Sequence, residues 1–280
     1  MTQRTWFITG VTSGFGRHMT EQLLERGERV AGTVRKIDAM NDLKEQYGDH
    51  LWLAHLDVTD TPATREVVNK AFADLGTIDV VVNNAGYGLF GAAEELSDEQ
   101  ITHQISTNLL GSIQVVRAAL PHFRAQGGGR ILQLSTYGGQ FAGPGGSLYH
   151  ASKWGIEGFM EAVMQEVAPF NIGVTIVEPG GARTAFRFGS VQIGTKMEAY
   201  EGTPAGMVHR ILQDTSHLPI GDPARMVKIM IDSVDQNPAP KRMVLGSDAF
   251  TALQKALTER LAMVEAQKDL AFSTDIPANA

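Results

Sequence analysis

Cysteine is absent from all 280 residues, which removes disulfides, thiolate metal sites and cysteine nucleophiles together. A chain without thiols suits the reducing cytoplasm, and that is the expected compartment. An excess of positive charge is also missing. The 24 basic and 31 acidic side chains leave a formal charge of -7, so the chain carries no electrostatic footprint for nucleic acid. No run approaches the roughly 18 to 20 consecutive apolar residues that a bilayer-crossing helix needs, so no membrane partner is expected. The N-terminus enters an apolar strand directly, with no export-signal pattern ahead of it. Internal repeats, low-complexity runs and interdomain linkers are lacking too, so residues 1–280 read as one domain.

What is present is an alternation. Apolar residues at 43% and charged residues at 20% match an ordinary globular chain. Short apolar runs alternate with longer segments of helical period, the pattern of βαβ units whose parallel strands are buried on both faces. Seven strands are predicted, at 5–9, 29–34, 51–56, 79–82, 130–134, 173–177 and 242–245. Helices are predicted over 16–26, with Gly27 as C-cap, over 97–126, opened by the capping box of Ser97 and Gln100, and over 147–169. The alternation lapses between about 185 and 221, a glycine- and proline-marked insertion of the kind that covers a site. The tail after Thr274 is expected to fray.

The first strand turns into the first helix through Thr9-Gly-Val-Thr-Ser-Gly-Phe-Gly16. Glycines at 10, 14 and 16 let the backbone turn tightly and approach a pyrophosphate, whose charge meets free N–H groups at the helix N-terminus. Thr12, Ser13 and Phe15 complete the loop. A glycine-rich turn with no ligand would look the same in isolation. At the end of the second strand stand Arg35 and Lys36, with no carboxylate until Asp38. An arginine there suits a ribose 2′-phosphate, so NADP(H) is expected over NAD(H), unless Asp38 turns back to the ribose. On a helix Tyr149 and Lys153 share one face, so phenol and ammonium can converge.

The spacing T-G-x-x-x-G-x-G, with Asn83-Asn-Ala-Gly86 and Tyr149-His-Ala-Ser-Lys153, resembles the short-chain dehydrogenase/reductase family over residues 5–185. The resemblance implies an α/β fold: one doubly wound Rossmann domain with a seven-stranded parallel sheet, order 3-2-1-4-5-6-7, and helices on both faces. It implies hydride exchange between the nicotinamide and a carbonyl or alcohol, without a metal, with Tyr149 as acid/base and Lys153 beside it. Asn108 would distort its helix and hold a relay water. Asn84, Ala85 and Gly86 would close the cofactor site, Asp57 and Val58 would flank adenine, and Pro179, Gly180 and Thr184 would meet the nicotinamide. The family's third catalytic residue is a serine thirteen positions before the tyrosine. That position is Thr136 here, with Ser135 beside it, and both remain candidates for holding the substrate oxygen.

Substrate-facing residues are expected at 87–90, 137–147 and in the insertion. Tyr87, Phe90, Tyr137, Phe141, Phe186, Phe188 and Met197 suggest a medium-sized apolar carbonyl or alcohol, while Arg183 or Arg187 would suit a carboxylate. A homodimer or homotetramer through the helices at 97–126 and 147–169 is implied by the resemblance. An epimerase or dehydratase that recycles its cofactor, and a non-catalytic NADP(H)-sensing protein, are the rival functions.

Overall fold

The computed structural model describes residues 3–214, 216 and 218–276, with only the backbone of Arg187, Phe188 and Gln213. Among the described residues nine strands run in chain order: β1 Thr5–Thr9, β2 Arg29–Val34, β3 Leu51–His55, β4 Val80–Asn83, β5 Gly88–Phe90, β6 Gly129–Leu134, β7 Ile172–Pro179, β8 Val191–Ile193 and β9 Arg242–Leu245. Among the described residues ten α-helices accompany them: α1 Gly14–Glu25, α2 Asn41–Tyr47, α3 Thr61–Leu75, α4 Asp98–Ile105, α5 Ser112–Gln126, α6 Ser147–Val167, α7 Met207–Gln213, α8 Pro223–Asp232, α9 Ser247–Glu265 and α10 Lys268–Phe272.

Seven strands form one parallel sheet in the order β3-β2-β1-β4-β6-β7-β9. Counted within that sheet, this is the order the resemblance implied. The apolar runs are legible because both faces are covered. Alternate residues of β1 and β4 point to opposite sides, so Trp6, Ile8, Val80 and Val82 pack with Leu23, Val227 and Met230, while Phe7 and Val81 pack with Val116, Phe123 and Ile156. Each such side chain contributes about 1.5–3 kcal/mol on burial.

The chain reverses its winding direction where β1 lies between β2 and β4, with Phe7 beside both Ala31 and Val81. Parallel strands open a ligand crevice beyond their carboxyl ends at such a point. Five sheet strands, β1, β2, β4, β6 and β7, deliver their C-terminal residues there.

The structure adds to expectation in three places. The helix predicted over 97–126 is divided into α4 and α5 by a π-helical turn, Ser106–Gly111. Its capping box is as expected, with Ser97 Oγ accepting from the Gln100 N–H and Gln100 Oε1 accepting from the Ser97 N–H. A second, two-stranded parallel sheet pairs β5 with β8. It ties the segment after β4 to the segment after β7, and its three-residue strands are too short to leave a period in the sequence. The insertion, where the regular alternation lapses, holds β8 and α7. Four tail residues, 277–280, lie outside the described residues, and with them most of the expected frayed end.

Candidate active site

At the end of β1 the backbone of Gly10 takes φ +74, and the N–H groups of Gly10 and Val11 both donate to the Thr33 carbonyl. A Cβ on Gly16 would stand 2.2 Å from the Gly10 carbonyl oxygen, so no larger residue lets α1 approach the strand this closely. Ser13 is the N-cap of α1, yet its hydroxyl makes no capping bond to the first-turn N–H groups. Thr12 and Ser13 are exposed, whereas Phe15 packs against the core. Uncapped amides on a helix that begins at a glycine turn fit a pyrophosphate. Thr184, from the segment after β7, lies 3.8 Å from the position of a Cβ on Gly14.

The loop is held from behind by the asparagine pair. Asn84 Nδ2 donates to the carbonyls of Thr9 and Gly10 at 2.9 and 2.8 Å, and Thr9 Oγ1 accepts from the N–H groups of Asn84 and Ala85 at 3.0 Å each. Asn83 donates to the Ser112 carbonyl and to Gln133 Oε1. Gly86 is followed by Tyr87, and Asn108 pairs with the backbone of Tyr87 in both directions. Asn108 Oδ1 accepts from the Tyr87 N–H at 3.0 Å, and its Nδ2 donates to the Tyr87 carbonyl at 2.8 Å and to Ser152 Oγ at 3.3 Å. Asn108 sits inside the π turn, and such turns cluster at functional sites.

At the exit of β2, Arg35 and Lys36 are exposed, and Asp38 follows in a 3-10 turn, Ile37–Met40. Arg35 has no ion pair or hydrogen-bond partner among the described residues. Asp57 is close enough to feel it. Burial would raise the Asp57 carboxyl, but hydrogen bonds from the Thr59 N–H and hydroxyl and the charges of Arg35 and His103 hold it below its usual range. Val58 packs against Gly111 of the π turn. Pro179 ends β7, and the Gly180 N–H donates to the Leu245 carbonyl.

Tyr149 and Lys153 stand one turn apart on α6, with the ammonium 5.9 Å from the tyrosine ring centre. Lys153 Nζ donates to the Leu134 carbonyl at 2.9 Å. Burial lowers this amine to about 8, with the Glu157 charge opposing. Burial also pushes the Tyr149 phenol up, opposed by the polar side chain of Thr136 beside it. The two hydroxyl candidates thus part company. Thr136 Oγ1 lies by Tyr149 and donates to the Pro179 carbonyl at 3.3 Å, whereas Ser135 donates to Glu157.

Glu157, Glu178 and Arg242 form a buried cluster beneath these residues, which the sequence reading did not single out. Arg242 reaches Glu157 at 2.6 Å, Glu161 at 2.7 Å and also Glu178. Burial and the Glu157 charge raise Glu178 to about 7 against the pull of Arg242. The cluster anchors the start of the segment after β6, through Ser135 on Glu157 and Gln140 Nε2 on Glu178 at 2.7 Å. One signal was available: Glu157 continues the Tyr149 and Lys153 stripe at four-residue spacing.

Aromatic rings face Tyr149 from two segments, Phe90 at 5.3 Å and Phe186 at 6.2 Å between centroids. Tyr137 and Phe141 stack at 5.9 Å. Tyr87 is not among them: its ring packs with Leu89 and Leu96. Met197 is exposed, and Arg183 donates to the Pro219 carbonyl. The side chains of Phe188 and Arg187 lie outside the described parts. Among the described residues no group of histidines and carboxylates could hold a metal ion, and no helix is long and apolar enough to cross a membrane.

Known proteins resemble this arrangement. Residues 4–191 match the family described as short chain dehydrogenase. Oxidoreductase BOA17 of Botryotinia fuckeliana is 34% identical over 272 residues, covering 97% of this chain and 99% of the relative. A short-chain dehydrogenase from Streptomyces avermitilis has the same fold at a TM-score of 0.92 and 34% identity, over 98% of this chain and 100% of that one. A variant of actinorhodin polyketide ketoreductase with NADPH superposes at a TM-score of 0.71 and 26% identity, over 86% of this chain and 95% of that one.

Proposed function

The chain belongs to the short-chain dehydrogenase family, and on that premise we propose that it is an NADP(H)-dependent oxidoreductase interconverting a ketone or aldehyde and an alcohol. The observation that carries this reading is the buried Tyr149 hydroxyl beside Thr136, flanked by Phe90 and Phe186 and one helical turn from Lys153. When bound, the nicotinamide would supply hydride to the carbonyl carbon, or accept it in the reverse direction.

The chain's own residues do the rest. Thr136 holds the substrate oxygen, and Tyr149 gives it a proton during reduction or takes one during oxidation. Burial keeps that proton on Tyr149 in the free protein, so a stabilising positive charge is needed before phenolate forms. Lys153 provides one such charge and binds the nicotinamide ribose. Asn108, fixed against Tyr87 and Ser152, holds the water that carries protons onward. The loop with Gly10, Gly14 and Gly16 takes the pyrophosphate. Asp57 and Val58 flank adenine, and Pro179, Gly180 and Thr184 line the nicotinamide.

Preference for NADP(H) rests on Arg35, whose exposed guanidinium has no partner among the described residues and suits a 2′-phosphate. The NADPH in the similar ketoreductase supports the same reading. The substrate is medium-sized and apolar, bounded by Phe90, Phe186, Tyr137 and Phe141, with 185–221 as its lid. The enzyme works in the cytoplasm as a homodimer or homotetramer whose contacts cover the exposed Leu110 and Trp154 beside α5 and on α6. Net consumption of NADPH with one alcohol formed per cofactor tests the reaction type. Turnover of substrate without net consumption would favour a cofactor-recycling epimerase or dehydratase, and binding without turnover a sensor.

A further inference from the structure

Residues 137–146 lie between β6 and α6 and include glycines at 138, 139, 143, 145 and 146. So flexible a segment loses much conformational entropy when it is ordered, yet it carries the stacked rings of Tyr137 and Phe141. Its middle packs around the side chain of His150 on the first turns of α6, while Arg260 donates to the Gln140 carbonyl at 2.6 Å. His150 Nδ1 lies 2.8 Å from the Gly138 carbonyl, and Nε2 accepts from the Gly143 N–H at 3.2 Å. A carbonyl only accepts and an amide N–H only donates. The ring is therefore neutral, with its proton on Nδ1. Burial lowers the imidazole's pKa, in the same sense. The ring fills the space beside two glycines: a Cβ on either Gly138 or Gly146 would come within 2.8 Å of it. Phe141 meets it edge-on at 6.3 Å.

We infer that His150 is a positioning residue that sets the substrate wall, bracing the glycine-rich segment so that Tyr137 and Phe141 face an apolar substrate beside Tyr149. This rests on the oxidoreductase reading for its consequence, though not for the bracing itself. Two variants separate shape from hydrogen bonding. His150→Phe keeps a ring between the glycines and loses both bonds, while His150→Gln retains a donor and an acceptor.

The experiment measures amide exchange of Gly143 alongside steady-state kinetics with NADPH and a bulky apolar ketone. In His150→Phe, Gly143 should exchange about tenfold faster and KM for the ketone should rise about tenfold, as expected for two lost backbone bonds. Both kcat and NADPH affinity should stay within about twofold, and His150→Gln should fall between this variant and wild type. Unchanged exchange at Gly143 would overturn the bracing, and a loss confined to kcat would overturn the wall-setting role. If wild type reduces no carbonyl, the oxidoreductase reading fails while the exchange comparison still decides the bracing. If His150→Phe does not fold, exchange in His150→Gln decides it.

Discussion

Thr136 Oγ1 sits beside the Tyr149 phenol and donates to the Pro179 carbonyl, while the neighbouring Ser135 hydroxyl turns away to Glu157. The adjacent alcohols therefore have different tasks. Thr136→Ala should lower kcat roughly 100-fold or more by removing a donor to the substrate oxygen, and Thr136→Ser should keep most of the activity. Ser135→Ala should act mainly on stability, costing about 1–3 kcal/mol by leaving a buried Glu157 oxygen without its donor. Steady-state kinetics and thermal unfolding of the three variants check the division.

Arg35 should decide the cofactor. Its replacement by alanine removes a charge-assisted phosphate contact, so KM for NADPH should rise roughly 10- to 100-fold while KM for NADH barely moves. Parallel titrations with the two cofactors measure the ratio. An equal loss for both would place the 2′-phosphate elsewhere.

The buried carboxylate cluster should be visible in the pH dependence of stability. Glu178 is raised from 4.5 to about 7, so between those values the folded protein keeps a proton that the unfolded chain releases. This contribution is full below the ordinary carboxylate range and is lost as pH rises through about 7. It is on the order of 1–3 kcal/mol. The drop in Tm from about pH 5 to about pH 8 should be smaller in Glu178→Gln than in wild type. Equal drops would locate that proton on another group.

Asn108→Ala should strip both backbone partners from Tyr87 and leave the π turn without its brace. Roughly 2–4 kcal/mol of stability should be lost, a fall in Tm of roughly 4–12 °C by calorimetry. Asn108→Ala with an unchanged Tm would mean that the turn persists without that side chain.

The sheet was legible because strands such as Val80–Asn83, buried on both faces, are written as continuous apolar runs. The pairing of Tyr149 with Lys153 was legible because a helix brings i and i+4 together. The distortion of the helix at Asn108 was implied by the resemblance, but not its pairing with the backbone of a residue 21 positions earlier. Arg242 meets Glu157 and Glu178 across 85 and 64 positions, a separation that leaves no local pattern. The division between Ser135 and Thr136 likewise depends on where Glu157 lies, so the sequence offered two alcohols and the packing separates them.

The central claim is that Tyr149 transfers the proton that accompanies hydride transfer. The most direct test compares NADPH oxidation by wild type and Tyr149→Phe over a panel of ketones, aldehydes and quinones, with NADPH binding measured separately. Wild type should consume NADPH, and Tyr149→Phe should bind it with little change while losing roughly 100- to 10,000-fold in kcat. Undiminished turnover in Tyr149→Phe, or NADPH bound by wild type and never consumed, would contradict the account.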